Sequence, residues 1–198
     1  MLEMIKGCIV PCAEILCEQY EKIESGFVAN VNASKIKSVF QYFITMQSER
    51  LFFVLELPAD ANDEQLMRKE NTTSFHKNIY YIDGLDVNEA SLLLSRYDEL
   101  LINDGISNFG FGVHNNSSEI MKNKYNIVTI WTTSLDRYHD FFEKHDIPYG
   151  DRCVTAWETF NFKSPGKSFR VDVDGKTVFD LPNELKEWGI YLAETREQ

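Results

Sequence analysis

Apolar residues recur along this chain at two different periods, and the switches between them lay out its elements. Ile36, Val39, Phe40, Phe43 and Ile44 fall three and four residues apart. That is the spacing of one helix face, so a helix is predicted from Ser34, with Ser34 as its cap. GFVANV, 26–31, reads as a short strand. Upstream, Pro11 suits the first turn of a helix reaching about Ile23, with Ile15, Leu16, Tyr20 and Ile23 on one side. LFFVLEL, 51–57, is a nearly unbroken apolar run halted by Pro58, the pattern of a strand buried on both faces. The polar stretch 60–76 predicts a surface helix around DEQLMRK and then the loop NTTS, and it is where a sub-boundary would fall.

Downstream the order of elements carries more. NIYYIDG is a strand ending in a turn, and Asp86 with Glu89 has the spacing of a capping box. The helix that follows carries Ala90, Leu93, Leu94, Tyr97, Leu100 and Leu101 on one face and stops at Gly105, read as a left-handed C-terminal residue. ISNFGFGVH and YNIVTIWT read as strands with NNSSEIMKNK as a loop between them. Thr133 and Asp136 repeat the capping spacing before a helix over 134–146, and RCVTAWETF reads as a last strand. The series over 78–160 is β-α-β-β-α-β and resembles the split βαβ of ferredoxin-like domains. Asp174-Gly175 marks a type I′ hairpin within FRVDVDGKTVF. Pro182 then opens a final helix with Leu185, Trp188 and Leu192 inward. The expected architecture is a single α+β domain: a ferredoxin-like core, N-terminal helices on the same sheet, and a C-terminal hairpin plus helix.

Charge narrows the function classes. Thirty-one acidic and twenty basic residues leave a net charge of -11, a surface that repels phosphate backbones and anionic membranes and favours basic partners. No apolar stretch approaches the length of a membrane span. The N-terminal apolar stretch holds Glu3, Pro11 and Glu14, unlike a secretory signal. Cys8, Cys12, Cys17 and Cys153 lack the spacing of a disulfide scaffold and are read as reduced thiols of a cytoplasmic protein. C-x3-C-x4-C without a clear fourth ligand points to buried apolar groups rather than a metal site.

FGFGVHNN, 109–116, is the most unusual stretch. Alternation puts Phe109, Phe111 and Val113 on one face and Gly110 and Gly112 on the other, a bare surface that something must approach closely. Part of it resembles the aromatic central strand of RNA-binding split-βαβ domains. Ser107 and Asn108 replace that motif's basic residue and glycine, so no nucleic-acid partner is expected. The third glycine of a phosphate-binding turn is also missing. His114 leaves this strand toward Ser117, Ser118 and Glu119, the side-chain types of a hydrolase without its G-x-S-x-G elbow.

On a helix over 134–146, Asp136, Asp140 and Glu143 lie on the solvent side, suited to attracting a basic partner. Asp136, His139 and Glu143 share one sector there, but a solvated face explains them without a metal. The chain thus reads as an acidic, soluble protein-binding module, an inhibitor or immunity-type protein that masks a basic partner through Asp136, Asp140 and Glu143. No cofactor is implied. The alternative is a small-molecule-binding protein or hydrolase with a pocket at Gly110, Gly112, His114 and Glu119.

Overall fold

LFFVLEL forms a strand near the middle of a large sheet in the computed structural model, which describes residues 1–60, 75–115 and 117–197. The strands are β1 (Cys8–Ile9), β2 (Gln19–Ile23), β3 (Gly26–Asn30), β4 (Leu51–Pro58), β5 (His76–Leu85), β6 (Asn108–Val113), β7 (Ser118–Lys122), β8 (Ile127–Trp131), β9 (Lys167–Ser168) and β10 (Tyr191–Glu197). Eight of them make one antiparallel sheet in the order β10-β5-β4-β6-β7-β8-β3-β2, and β1 pairs with β9 separately. The helices α1 (Ala33–Thr45) and α2 (Val87–Asn103) pack together over one face of the large sheet. A one-turn α3 (Leu181–Glu184) opens on Pro182. The protein is α+β. The surface helix and loop expected over 60–76, and most of the candidate sub-boundary, lie outside the described residues.

The helix-covered face holds the main core. Phe40 of α1 meets Phe109 at 4.8 Å between ring centroids, and Phe53 meets Phe111 at 5.2 Å. Leu55, Ile82, Ile120, Val128 and Ile130 continue this face, all buried. Among the described residues, no helix backs a core on the other face of the sheet. It has a small cluster of its own, Phe52, Val54, Ile79 and Met121 with Tyr81 against it. β4 is therefore buried on both faces as its pattern implies, by helices on one side and by neighbouring strands' side chains on the other.

α2 begins as its sequence predicts. The Asp86 carboxylate accepts from the backbone N–H groups of Asn88 and Glu89, and Glu89 accepts from that of Asp86. Its end differs. Gly105 is not left-handed; it is glycine because a Cβ there would lie 1.9 Å from the Gly7 carbonyl oxygen. Likewise α1 starts at Ala33, and the Ser34 hydroxyl bonds Glu3 instead of capping.

The split βαβ expected over 78–160 gives way to an antiparallel meander. NNSSEIMKNK contains β7, whose alternation is masked by Lys122, a charged residue buried on the helix-covered face. Over 134–146 the chain makes two short 3-10 turns, Leu135–Tyr138 and Glu143–His145, not a continuous α-helix. The Ser134 side chain makes no cap bond, and these tight turns bury Tyr138, Phe141 and Phe142 together. RCVTAWETF forms a 3-10 turn, Ala156–Thr159, opened by a Thr155/Glu158 capping box. The N-terminal helix expected to Ile23 is a short turn followed by β2, which pairs with β3 across Glu24-Ser25. Asp174 and Gly175 both have positive φ, as a type I′ turn requires, but a single bridge, Val173 to Lys176, replaces the hairpin. Gly189, at φ 81°, ends the helical turns after Pro182, so Leu192 lies exposed on the edge strand β10.

Candidate functional site

The face of the sheet away from α1 and α2 is where strand alternation gathers the candidate side chains. Cross-strand pairs run Phe52–Gly112–Glu119–Trp131 across β4, β6, β7 and β8, and the next row runs Tyr191–Tyr81–Val54–Gly110–Met121. Around the first row lies a cleft of about 580 Å³ lined by Phe52, Tyr81, Asp83, His114, Glu119, Trp131 and Tyr191. Among the described residues, neither lysine nor arginine lines it.

Gly110 and Gly112 are bare for packing reasons local to the sheet. A Cβ on Gly110 would lie 2.2 Å from Met121 Sδ and 2.4 Å from the Ile120 carbonyl oxygen. At Gly112 it would lie 2.3 Å from Phe52 Cζ. Side chains of adjacent strands therefore fold over the glycines. Phe52 settles into the Gly112 gap and packs at a tilt against the His114 ring, 4.7 Å between centroids.

His114 is held from its other side. Its Nε2 lies 3.0 Å from Asp83 Oδ1, and the Tyr191 hydroxyl donates to Asp83 Oδ2 at 2.6 Å. The Tyr191 hydrogen bond, with help from His114, keeps the Asp83 carboxyl below the usual carboxylate range. Glu119 behaves oppositely. Burial, reinforced by the charge of Glu56, pushes its carboxyl up. Burial also raises Tyr81, with Glu119 adding to the effect.

The structure thus brings together Gly112, His114 and Glu119 of the sequence-derived set, with Gly110 on the adjoining row. Phe52, Tyr81, Asp83, Trp131 and Tyr191 are the members that sequence reading missed. Alternation in NIYYIDG and YNIVTIWT marked Tyr81 and Trp131 as facing away from their neighbours. The pairing of β10 that delivers Tyr191 left no local trace. Ser117 and Ser118 of the expected hydrolase set also border the cleft. Ser118 points to the opposite face of β7 from Glu119, and its hydroxyl lies 2.9 Å from that of Thr132.

Asp136, Asp140 and Glu143 sit elsewhere, on the 3-10 turns. Asp140 pairs with Lys144 at 3.0 Å, and Glu143 accepts the Tyr20 hydroxyl at 3.1 Å. Asp136 is exposed, and its backbone carbonyl faces His139 Nδ1 at 2.8 Å. No group of three or more His, Cys, Asp or Glu side chains among the described residues is placed to hold a metal ion. Cys8 and Cys153 are buried, Cys12 and Cys17 exposed, and none is in a disulfide. No helix among the described residues is long and apolar enough to cross a membrane. Compared with protein-family models, curated proteins and solved structures, the chain matches none.

Proposed function

We propose that this protein is a non-catalytic, acidic binding module whose open-face cleft receives a cationic side chain from a basic protein partner. One observation carries the reading. The cleft is walled by four aromatic rings, Phe52, Tyr81, Trp131 and Tyr191, and by the carboxylates Asp83 and Glu119, with no lysine or arginine among its described lining residues. Aromatic faces attract cations through their quadrupole, and carboxylates complete the recognition of an ammonium or guanidinium. The net charge of -11 acts in the same direction at long range and speeds encounter with a basic surface. In an immunity-type or inhibitory role, such a module would cover the basic surface its target needs.

The turns bearing Asp136, Asp140 and Glu143 remain the competing face for the same partner class. Titrating the protein with an arginine-rich peptide, followed through the Trp131 side-chain N–H resonance at low and high salt, separates the two. Binding through the cleft is expected to weaken at least tenfold in Glu119→Gln and in Asp83→Asn. Charge reversal of Asp136 and Asp140 is expected to lower the association rate and its salt dependence while leaving Trp131's response in place. If reversal at Asp136 and Asp140 abolishes binding while the cleft variants bind normally, the interface belongs to the turns.

The cleft volume also suits a small organic cation bound as a free ligand. Phenethylamine and the arginine-rich peptide compared on the same Trp131 signal distinguish that second reading. Saturation by the amine, with no further gain for the peptide, favours it.

A further inference from the structure

The same open face has a second cavity about six residues further along β6, roughly 20 Å from His114 at strand rise. It has a volume of about 490 Å³ and lies around Asn108. Its charge is the reverse of the first. Two ammonium groups, Lys77 and Lys124, line it against one carboxylate, Glu56. Glu56 is already engaged, because its Oε2 accepts from Lys77 Nζ at 2.8 Å and from Asn108 Nδ2 at 2.8 Å. Lys124 therefore supplies a positive charge that no carboxylate among the described lining residues offsets.

Two further features mark the cavity as built for a ligand. Asn108 donates through Nδ2, but its Oδ1 is buried without a hydrogen-bond partner among the described residues. A buried acceptor left unmade is costly, and a small turn of the Asn108 side chain toward the cavity would let a ligand N–H or O–H satisfy it. Trp157 forms part of the wall and is half exposed, at 53%. Its ring is fixed edge-on by Tyr125 at 4.9 Å and 89° between planes, which leaves an anchored aromatic surface facing open space.

We infer that this cavity is a second binding site, selective for a small planar organic anion that carries an N–H donor. The ring of such a ligand lies against Trp157, its anionic group meets Lys124, and its N–H donates to Asn108 Oδ1. This inference does not depend on the cationic cleft, which uses other residues and takes the opposite charge.

Indole-3-acetate has all three features, and tryptamine has the same ring with a positive charge. Each is titrated into the ¹⁵N-labelled full chain while the Trp157 side-chain N–H resonance is followed. Indole-3-acetate is expected to shift that resonance with saturation in the millimolar range, and tryptamine at equal concentration is expected not to. Lys124→Glu, on the cavity rim, is expected to weaken the response at least tenfold while the spectrum stays dispersed. No shift with indole-3-acetate overturns the inference, as does an equal response to both compounds or an unchanged response in Lys124→Glu. The two-ligand comparison uses the unaltered protein, so it holds even if the variant fails to fold.

Discussion

The ring of Phe52 occupies the space that any side chain on Gly112 would need: these residues are paired across β4 and β6, and a Gly112 Cβ would lie 2.3 Å from Phe52 Cζ. Gly110 is walled in more rigidly, because the Ile120 carbonyl oxygen stands 2.4 Å from its Cβ position. Gly110→Ala is therefore expected to cost about 1–3 kcal/mol through overpacking, seen as a lower urea midpoint. Gly112→Ala is expected to cost less, since the Phe52 ring can swing and the nearest backbone atom, the Ser118 carbonyl oxygen, stands further off at 2.9 Å. This substitution should instead turn Phe52 into the cleft and shift the His114 ring resonances. An unchanged midpoint for Gly110→Ala would mean that β6 and β7 are not this close.

Tyr191 reaches Asp83 from the edge strand, and that hydrogen bond is the main cause of the depressed Asp83 carboxyl. Tyr191→Phe is expected to move the Asp83 titration back toward the ordinary aspartate range, followed by NMR of its carboxyl carbon. The stabilisation from this group is present above the ordinary aspartate value and fades as pH falls through its lower folded value. Asp83 is well exposed, so the loss of stability should be small. A titration that does not move would detach β10 from the site.

Glu119 sets the pH dependence of cation binding. Its carboxyl is raised by burial, so it takes up a proton at a higher pH than an ordinary glutamate. Affinity for an arginine-rich peptide is expected to fall as pH drops through that raised value. Glu119→Gln should bind weakly throughout and lose this step. A step that persists in Glu119→Gln assigns it to another group.

Lys122 is fully buried on the other face of β7, where its ammonium donates to the Asp104 carbonyl at 2.6 Å. Burial lowers it to about 8. Between about 8 and the ordinary lysine value the unfolded chain holds this proton and the folded chain has released it, so folding stability gains as pH rises across that window. Cys153, raised to about 11, and Tyr20, raised to about 12, act the opposite way, because the folded chain keeps their protons longer. The difference between the native protein and Lys122→Met isolates the lysine. In urea unfolding, that difference is expected to shift in favour of the native protein from about pH 8 upward, approaching about 3 kcal/mol. A difference that stays flat with pH would place the ammonium in water.

The elements legible in the sequence were those whose signal is local. Spacing alone identifies α1 and α2, because a helix buries residues three and four apart whatever it packs against. The Asp86/Glu89 box could be read because capping involves residues three positions apart. β4 was visible as an apolar run, and the Gly110/Gly112 face followed from the two-residue period of any strand. Thr155 and Glu158 carried a similar capping signal that strand-like RCVTAWETF obscured. What remained hidden depends on partners distant in the chain. Residues 19–23 and 191–197 become strands because β3 and β5 offer them a ladder, and 118–122 does so although Lys122 breaks its alternation. Residues 134–146 abandon a continuous helix to bury three aromatic rings at once. The cleft arises from side chains on and beside different strands, and only the pairing of those strands brings Asp83, Trp131 and Tyr191 to His114; the second cavity forms where two 3-10 turns carry Lys124 and Trp157 to Asn108. Local spacing determines which elements form, while register across the sheet determines which side chains meet, because backbone pairing is fixed by neighbours that a sequence window does not contain.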